Sequence, residues 1–429
     1  MTWICGRRDL PAPLPSSWPT AQERVSIANT AIHHGKVSTT LRSNDPSPFI
    51  VSNKTAQDVI LHNNLRKPEK HCHMLTNSLT NANGVEWQRQ RPAIQRMFGS
   101  AKVSRDAAMD AAVKRALEEM TCGSHDIRSL CFHCAVSAME CAVFGVEGTK
   151  VREPLQALFL TTLEPIRGDA GKSADLEAAV RDCISMLHPE DCLAYKLREL
   201  EKDGILMHEE VIANCSSIFL AGTQTISTTL VGALAHTAEC PQLQEESDMN
   251  AKAIVTETLR ILPPVGSLPR CPMDKAFEIR TPGQESVCIQ QGQVFLVDLV
   301  ALAHVGNDES SWKFCPGRLQ GSAAPWGLGK RQCPAGILSV SCISAILEAL
   351  VHSGLRWTLA KKEDRVGEQG RCGWVASVSY QPTLVYPKPI LLHFTSPKQA
   401  KDDDTVQAAC HHAVSNAYID HHAESTDYI

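Results

Sequence analysis

The segment Trp326 to Gly336, WGLGKRQCPAG, holds the residue types in this chain most able to do chemistry. Cys333 stands there behind two cations and before a proline, just ahead of an amphipathic helical pattern. Backbone N–H groups at a helix start stabilise negative charge, so this setting favours a thiolate. Gly327 and Gly329 permit a tight turn against a flat ligand, and the planar fork of Arg331 can bind a carboxylate. The alternative is a glycine-rich turn with an incidental buried cysteine.

Composition limits what such a site can belong to. The chain has 429 residues, of which 43% are hydrophobic, so it can bury a cofactor in one large domain or two ordinary ones. A net charge of -5 gives no basic field for nucleic acid and favours a small-molecule partner. Its 17 cysteines follow no secretory leader pattern, so most are expected to be reduced and buried.

Hydrophobic patterning predicts the elements that position the site. The run from Val211 to Cys240 has a single charged residue, Glu239 near its end, but many Ser and Thr residues, which favours a long buried helix over a membrane span. Apolar spacing predicts further helices at 86–100, 106–120, 129–145, 174–187, 251–262 and 337–354. Alternation predicts β-hairpins at 285–299 and 372–387.

One cysteine grouping could suggest a metal. Cys131-Phe132-His133-Cys134 has zinc-like spacing, but no second pair follows at ligand distance. Cys134 and Cys141 recur at helical spacing, so we expect a packed helix face.

Several motifs, taken in chain order, resemble those of the cytochrome P-450 monooxygenases. Trp326 to Ala335 is similar to the family's haem-ligand loop, with Trp in the usual Phe place and Ala335 in a common Gly place. The other matches are WQRQR with the W-x-x-x-R helix, AGTQT with the oxygen-activation motif, ETLR with the E-x-x-R helix and WKFCPGRL with the meander. Together they extend from about Asn83 to Gly354.

The resemblance implies a mainly α (α+β) cytochrome P-450 fold with a small β-rich lobe, and haem b between the long central helix and the cysteine loop. Cys333 would be the axial iron ligand, whose thiolate favours cleavage of a bound O–O bond. The cofactor-binding residues would be Trp87, Arg91, Arg270, Trp326 and Arg331, which include cations for the two propionates. Glu257, Arg260 and Arg318 would form a buried structural cluster.

The AGTQT motif implies the oxygen chemistry. Ala221 and Gly222 would let a flat macrocycle approach the helix, and the Thr225 hydroxyl would hold a water or the distal oxygen. Gln224 stands where the family usually has an acid and cannot donate a proton by ionisation. The alternative is a Ser/Thr-rich helix whose hydroxyls bond back to the i-4 carbonyls.

From this resemblance we expect insertion of one dioxygen atom into a small apolar substrate, with weak similarity to fungal-type secondary metabolism. Electrons would come from NADPH through a separate redox partner, a reductase or a ferredoxin. The alternatives are a haem-thiolate isomerase, dehydratase or peroxide user, or a degraded, non-catalytic haem binder.

The expected organisation is an irregular arm at 1–45, a haem domain at 46–395 and a polar, disordered tail at 396–429. No signal peptide or membrane anchor is recognised, which favours a cytoplasmic or peripherally membrane-associated protein.

Overall fold

The computed structural model describes 15 stretches of the chain. These are residues 49–51, 65–67, 76–161, 170–186, 189–245, 249–272, 274–279, 287–293, 295–304, 309–318, 324–327, 329–360, 378–380, 384–386 and 388–396. The arm and tail expected from the sequence, and the histidines at 71 and 73, lie outside them, apart from residue 396.

Helices make up most of the described chain. They are α1 Gly84–Ser100, α2 Lys102–Glu119, α3 Ile127–Phe144, α4 Arg152–Thr161, α5 Ala170–Ser185, α6 Leu193–Lys202, α7 His208–Glu239, α8 Ala251–Ile261, α9 Leu299–His304 and α10 Gly336–His352. The six helices predicted from apolar spacing correspond to α1, α2, α3, α5, α8 and α10, with ends displaced by a few residues.

The strands are short. They are β1 Phe49–Val51, β2 Gly123–Asp126, β3 Ser267–Arg270, β4 Phe277–Ile279, β5 Val287–Ile289, β6 Phe295–Asp298, β7 Arg356–Leu359, β8 Ser379–Tyr380, β9 Leu384–Val385 and β10 Leu391–Thr395. In one sheet β6 pairs parallel with β1 and antiparallel with β3. In another, β10 lies between β2 and β7, antiparallel to both.

One hairpin prediction is correct in its pairing and the other is wrong. β8 pairs antiparallel with β9, as the pattern at 372–387 predicts. The pattern at 285–299 covers β5 and β6, but β5 pairs with β4 and β6 with β1 and β3. Alternation identifies a strand with two different faces, whereas its partner is chosen by contacts that are distant in sequence.

Local signals at both ends explain α3, a buried helix that packs against α2, α6 and α7. Asp126 accepts a hydrogen bond from the backbone N–H of Arg128 and so caps its start. Gly145 ends it in the left-handed region at φ 74°, and its N–H bonds to the Cys141 carbonyl. Cys131 and Cys134 are fully buried in the core, and His133 instead hydrogen-bonds Glu119. Within the part of the chain that the structure describes, no cluster of three metal-ligating side chains occurs.

The long helix α7 passes through the interior. α3 packs against α2 on one side and α7 on the other, and α10 contacts α2, α7 and α8. By length and composition, α3 and α7 could each cross a membrane, but 67% and 72% of their most apolar windows are buried within the fold. The buried central helix predicted over Val211 to Cys240 is therefore confirmed, and the mainly α fold with small sheets is confirmed with it.

Candidate haem-thiolate site

The loop from 324 to 336 turns back on itself and presents Cys333. The N–H of Cys333 donates to the Trp326 carbonyl at 2.8 Å, and the N–H of Gly327 donates to the Ala324 carbonyl at 2.9 Å. Gly327 and Gly329 have φ of 79° and 64°, where a side chain would be strained. The ring of Trp326 lies 3.3 Å from where a Cβ on Gly336 would be, which places it under the first turn of α10.

The Cys333 thiol is accessible, yet surrounded by protein. Its side chain is exposed, but burial among its neighbours raises the pKa of this thiol above its usual value. The N–H of Ala335 and the charge of Arg91 lower the pKa, but by less than burial raises it. Burial of the thiol thus opposes the stabilisation that the helix start gives a thiolate, and the ligand role of Cys333 stays a prediction. A thiolate here needs a further positive charge, such as a metal ion.

Two adjacent positions on α1 connect the cysteine loop to α7. Arg91 is 9% exposed, its charge acts on Cys333, and burial lowers its pKa. Its neighbour Gln90 faces α7, where it donates to Glu210 at 2.9 Å and accepts from Asn214 at 3.1 Å. Adjacent residues of one helix thus contact the sulfur-bearing loop and the central helix.

Glu210 strengthens this connection at the start of α7. It accepts a hydrogen bond from Arg89 at 2.8 Å and another from the backbone N–H of Met207 at 2.8 Å. Burial alone would raise the pKa of Glu210, but these bonds lower it below its usual value. Sequence reasoning missed the link between Gln90, Glu210 and Asn214, although an isolated Asn in the apolar run of α7 was an available signal.

A cluster of buried cations lies beside the loop. Arg331 stacks on Trp87, with its guanidinium carbon 4.8 Å from the ring centroid. It donates to the Ala82 carbonyl at 3.0 Å and to the Asn83 side-chain oxygen at 2.9 Å. Burial, followed by repulsion from Arg270, Arg91 and Arg66, lowers the pKa of Arg331 to about 10. Burial lowers the pKa of Arg270 to about 10 as well.

These cations fit a dianionic ligand. Arg270 is 3% exposed and donates to the Pro269 carbonyl, and the hydrogen bonds of Arg331 also go to neutral acceptors. Burying mutually repelling cations is unfavourable unless an anion joins them. Two carboxylates on the edge of a flat ligand, with its centre at the Cys333 sulfur, would supply that charge. The residues present therefore fit haem b.

The AGTQT motif, Ala221 to Thr225, lies in the middle of α7. Ala221 is exposed and Thr225 half-buried, so this face of an otherwise enclosed helix borders open space. The Thr225 hydroxyl donates to the Ala221 carbonyl at 2.8 Å, the i-4 bond of the alternative interpretation. Gln224 is 7% exposed, so its side chain is enclosed by protein rather than presented to the open face.

At Gly222 the central helix α7 lies directly against α3, and the predicted role of this glycine toward a macrocycle stays a prediction. A Cβ at this position would lie 2.5 Å from the Sδ atom of Met139, on the buried helix α3. Met139 is 1% exposed. The glycine is needed because α3 packs so closely against α7 at this point.

Behind the site, Glu257 and Arg260 on α8 form a bidentate pair with distances of 2.7 and 3.0 Å. They are 2% and 4% exposed, so this pair faces inward. Glu257 also accepts the N–H of Cys315 at 3.1 Å, and Arg260 donates to the Ser311 carbonyl at 2.6 Å. Arg318 lies 3.5 Å from Glu257 but is 30% exposed. The expected buried cluster of three is therefore a buried pair with a half-exposed third member.

The fold matches solved cytochrome P-450 structures over most of the chain. A zebrafish cytochrome P-450 with abiraterone aligns with a TM-score of 0.70 and 17% identity, over 87% of this chain and 99% of that one. CalO2 aligns with a TM-score of 0.68 and 16% identity, over 88% and 97%. Cyanobacterial CYP120A1 with retinoic acid aligns with a TM-score of 0.65 and 15% identity, over 81% and 89%. The chain has the cytochrome P-450 fold.

Two curated plant enzymes match part of the chain in sequence. A flavonoid 3′-monooxygenase of Oryza sativa subsp. japonica is 27% identical over 238 residues, which is 46% of this chain and 43% of the relative. Geraniol 8-hydroxylase of Catharanthus roseus is 28% identical over 183 residues, 34% and 35% of the two chains. No protein-family model matches the chain. The chain therefore has the cytochrome P-450 fold and resembles these two oxygenases over part of its length.

The matched stretches span only 35% and 43% of the length of these two relatives. The long central helix and the cysteine loop to which the resemblance assigns the haem are α7 and residues 324–336, and their role in haem binding stays a prediction. Both curated relatives are plant proteins, so the fungal-type resemblance stays a prediction.

Proposed function

We propose that this protein is a haem-thiolate monooxygenase that inserts one atom of dioxygen into a small apolar substrate of specialised metabolism. The observation that carries the proposal is the accessible Cys333 sulfur beside buried cations that lack a bound carboxylate partner at Arg270 and Arg331 in the described structure. A thiolate ligand and an anion cradle in one place are what haem b requires.

The chain's own residues would hold the cofactor in the following way. Cys333 would bind the iron, and its negative charge would then be matched by the metal and by Arg91. Arg270 and Arg331 would pair with the propionates, and Trp87 would hold the Arg331 guanidinium in place through its ring face. Trp326 would support the loop from below, under α10. When bound, haem would supply the activation of dioxygen, which a thiolate ligand favours.

Proton delivery would depend on Thr225. Its hydroxyl donates to the Ala221 carbonyl and can rotate to hold a water on the open face of α7. Gln224 is buried and would act by supporting the helix, since its side chain does not present an ionisable group to that face. The proton would therefore come from solvent through the Thr225 hydroxyl.

The substrate class and electron source are part of the same proposal. The named relatives are a flavonoid 3′-monooxygenase and a geraniol 8-hydroxylase, which favours a terpenoid or phenolic substrate. We infer that electrons come from NADPH through a separate reductase or a ferredoxin. A cytoplasmic or peripherally membrane-associated location stays a prediction.

The test begins with the full chain loaded with haem. We expect a reduced, carbon-monoxide-bound spectrum typical of thiolate ligation, which Cys333→Ser should abolish and the exposed-cysteine control Cys288→Ser should retain. Retention of the thiolate spectrum in Cys333→Ser would reject the ligand assignment. Substrates can then be found by spin-state shifts against terpenoid, flavonoid, polyketide, alkaloid and fatty-acid libraries.

Product formation decides the reaction class. A monooxygenase requires NADPH, a reductase and dioxygen together. Turnover that proceeds without oxygen would instead indicate an isomerase or dehydratase, and turnover with hydrogen peroxide alone would indicate a peroxide user. Stable haem binding without turnover against any of these libraries would favour a non-catalytic haem binder.

A further inference from the structure

Asn83 occupies the N-cap position of α1 without capping the helix. Asn is among the preferred residues there because its side-chain oxygen accepts a backbone N–H of the first turn. Asn83 has the extended backbone of a cap, φ -132° and ψ 169°, but makes no such bond. Its amide group is used elsewhere.

The amide of Asn83 joins three segments of the chain. Its oxygen accepts the backbone N–H of Lys67 at 3.0 Å, and its nitrogen donates to the Lys67 carbonyl at 3.0 Å. The same oxygen accepts from the Arg331 guanidinium at 2.9 Å. Only an amide of this length has both the acceptor and the donor for these three bonds, since Asp lacks the donor.

The segment held by Asn83 continues to the second buried cation. Arg66, next to Lys67, pairs with Cys271 through two backbone hydrogen bonds of 3.1 and 2.8 Å. Cys271 directly follows Arg270 at the end of β3. An unbroken hydrogen-bonded route therefore runs from Arg331 through Asn83 and residues 66–67 to the backbone that carries Arg270.

Such a route has a physical purpose. Arg331 and Arg270 repel one another, as the lowered pKa of Arg331 reflects; Arg270 is buried and Arg331 half-buried. Two like charges tend to separate when no anion joins them. A rigid connection between their backbones keeps them at a fixed spacing before a ligand arrives, which removes part of the cost of ordering them on binding.

We propose that Asn83 is a positioning residue that presets Arg331 relative to Arg270 for a dicarboxylate ligand edge, namely the two propionates of haem. This inference rests on the proposed haem-thiolate function. It concerns retention of the cofactor rather than the reaction, and Asn83 itself need not touch the ligand.

The experiment measures transfer of haem from the loaded chain to apomyoglobin, together with denaturant unfolding of the haem-free chain. We expect Asn83→Ala to release haem about tenfold faster, because a charge-assisted hydrogen bond and the link to Lys67 are both lost. Thr80→Val removes the hydrogen bond between the Thr80 and Ser217 hydroxyls in the same region, without touching Arg331, and should change release by less than about twofold.

Asn83→Asp separates positioning from general packing. A carboxylate beside Arg331 would neutralise a half-buried cation and so offset the lost bond to the Lys67 carbonyl, which should leave the haem-free chain about as stable as wild type. The same carboxylate would compete with a propionate, so haem should leave faster than from Asn83→Ala. If Asn83 served only packing, Asn83→Asp would lower the free energy of unfolding of the haem-free chain and also speed haem release. This variant keeps the shape of Asn and therefore serves if Asn83→Ala fails to fold.

Haem dimethyl ester provides the final comparison, because it lacks the propionate charges. With this probe, wild type and Asn83→Ala should release the ligand at the same rate. The inference would be overturned if wild type and both Asn83 variants released ordinary haem at the same rate. It would also be overturned if Thr80→Val sped haem release as much as Asn83→Ala does. A wild-type chain that takes up no haem would overturn the proposed function itself, a result distinct from normal uptake with unchanged retention.

Discussion

The guanidinium of Arg331 lies 4.8 Å from the ring centroid of Trp87, although 244 positions separate the two residues in the sequence. The ring face attracts the cation and shields it from water at the same time. This contact, together with the bonds to Ala82 and Asn83, holds a cation whose pKa burial lowers to about 10. The cation cluster is thus built from α1 and the cysteine loop jointly.

Replacing Trp87 should weaken cofactor retention. Trp87→Leu removes a partly desolvated cation–π contact of about 1–2 kcal/mol, which corresponds to roughly tenfold faster haem release. Trp87→Phe keeps a weaker ring face and should give an intermediate rate. Haem transfer to apomyoglobin measures this directly. Equal rates for wild type and Trp87→Leu would show that the contact does not contribute to haem binding.

The close approach of α3 and α7 predicts that the effect of Gly222→Ala on stability changes sign when Met139 is replaced by Ala. Gly222→Ala should destabilise the protein by about 1–3 kcal/mol through overpacking, because the enclosed Met139 cannot move into solvent. In a Met139→Ala background the same change should stabilise by up to about 1 kcal/mol, since Ala is the better helix former. Denaturant unfolding of the four proteins completes the cycle. Additive effects would mean that the two residues do not constrain each other.

The surroundings of Glu257 on α8 predict that removing its charge lowers stability more than removing Arg318. Glu257→Gln leaves the buried Arg260 without its charge partner and should cost about 3–5 kcal/mol. Arg318→Ala removes a half-exposed partner at 3.5 Å and should cost no more than about 1 kcal/mol. Thermal or denaturant unfolding measures both. If Arg318→Ala were as damaging as Glu257→Gln, the three residues would act as one buried cluster after all.

His236 predicts a loss of stability in mild acid. Burial, followed by the charge of Arg260, lowers the pKa of this histidine from 6.5 to about 3, so it stays neutral when folded. The unfolded chain binds a proton below about pH 6.5, so stability falls as the pH drops from there towards 3, by about 1.4 kcal/mol per pH unit within this window.

Replacement of His236 provides the comparison. Between pH 7 and pH 5, wild type should lose roughly 2 kcal/mol more than His236→Gln, measured by denaturant unfolding at each pH. The contribution of other titrating groups cancels between the two proteins. Parallel pH profiles would mean that His236 becomes protonated in the folded state.

Thr225 predicts a change in coupling. Thr225→Ala should lower product formation by about tenfold to a hundredfold while NADPH consumption continues, with the difference recovered as hydrogen peroxide. Thr229→Val is the matched control, because its hydroxyl bonds to the Thr225 carbonyl within the buried part of the same helix. Unchanged coupling in Thr225→Ala would remove this hydroxyl from the proton path.

Local patterns in the sequence predicted the helices well. α1, α3, α8 and α10 have amphipathic or continuous apolar runs, and caps such as Asp126 and Gly145 mark the ends of α3. These signals act within one or two turns of chain, where residue type alone sets the preference. The pairing of β5 and β6 could not be predicted in the same way, because their partners are chosen by packing across the sheet.

By itself, the sequence determined the cysteine loop, the central helix and the cations that a dianionic cofactor would need, because each is a short pattern with its own chemistry. The tertiary structure alone decided that Gly222 accommodates Met139, that Gln224 is enclosed and that Asn83 joins Arg331 to the segment beside Arg270. These properties depend on which helices and segments lie against each other. Such contacts arise from burial shared across the whole chain and leave no mark at any single position.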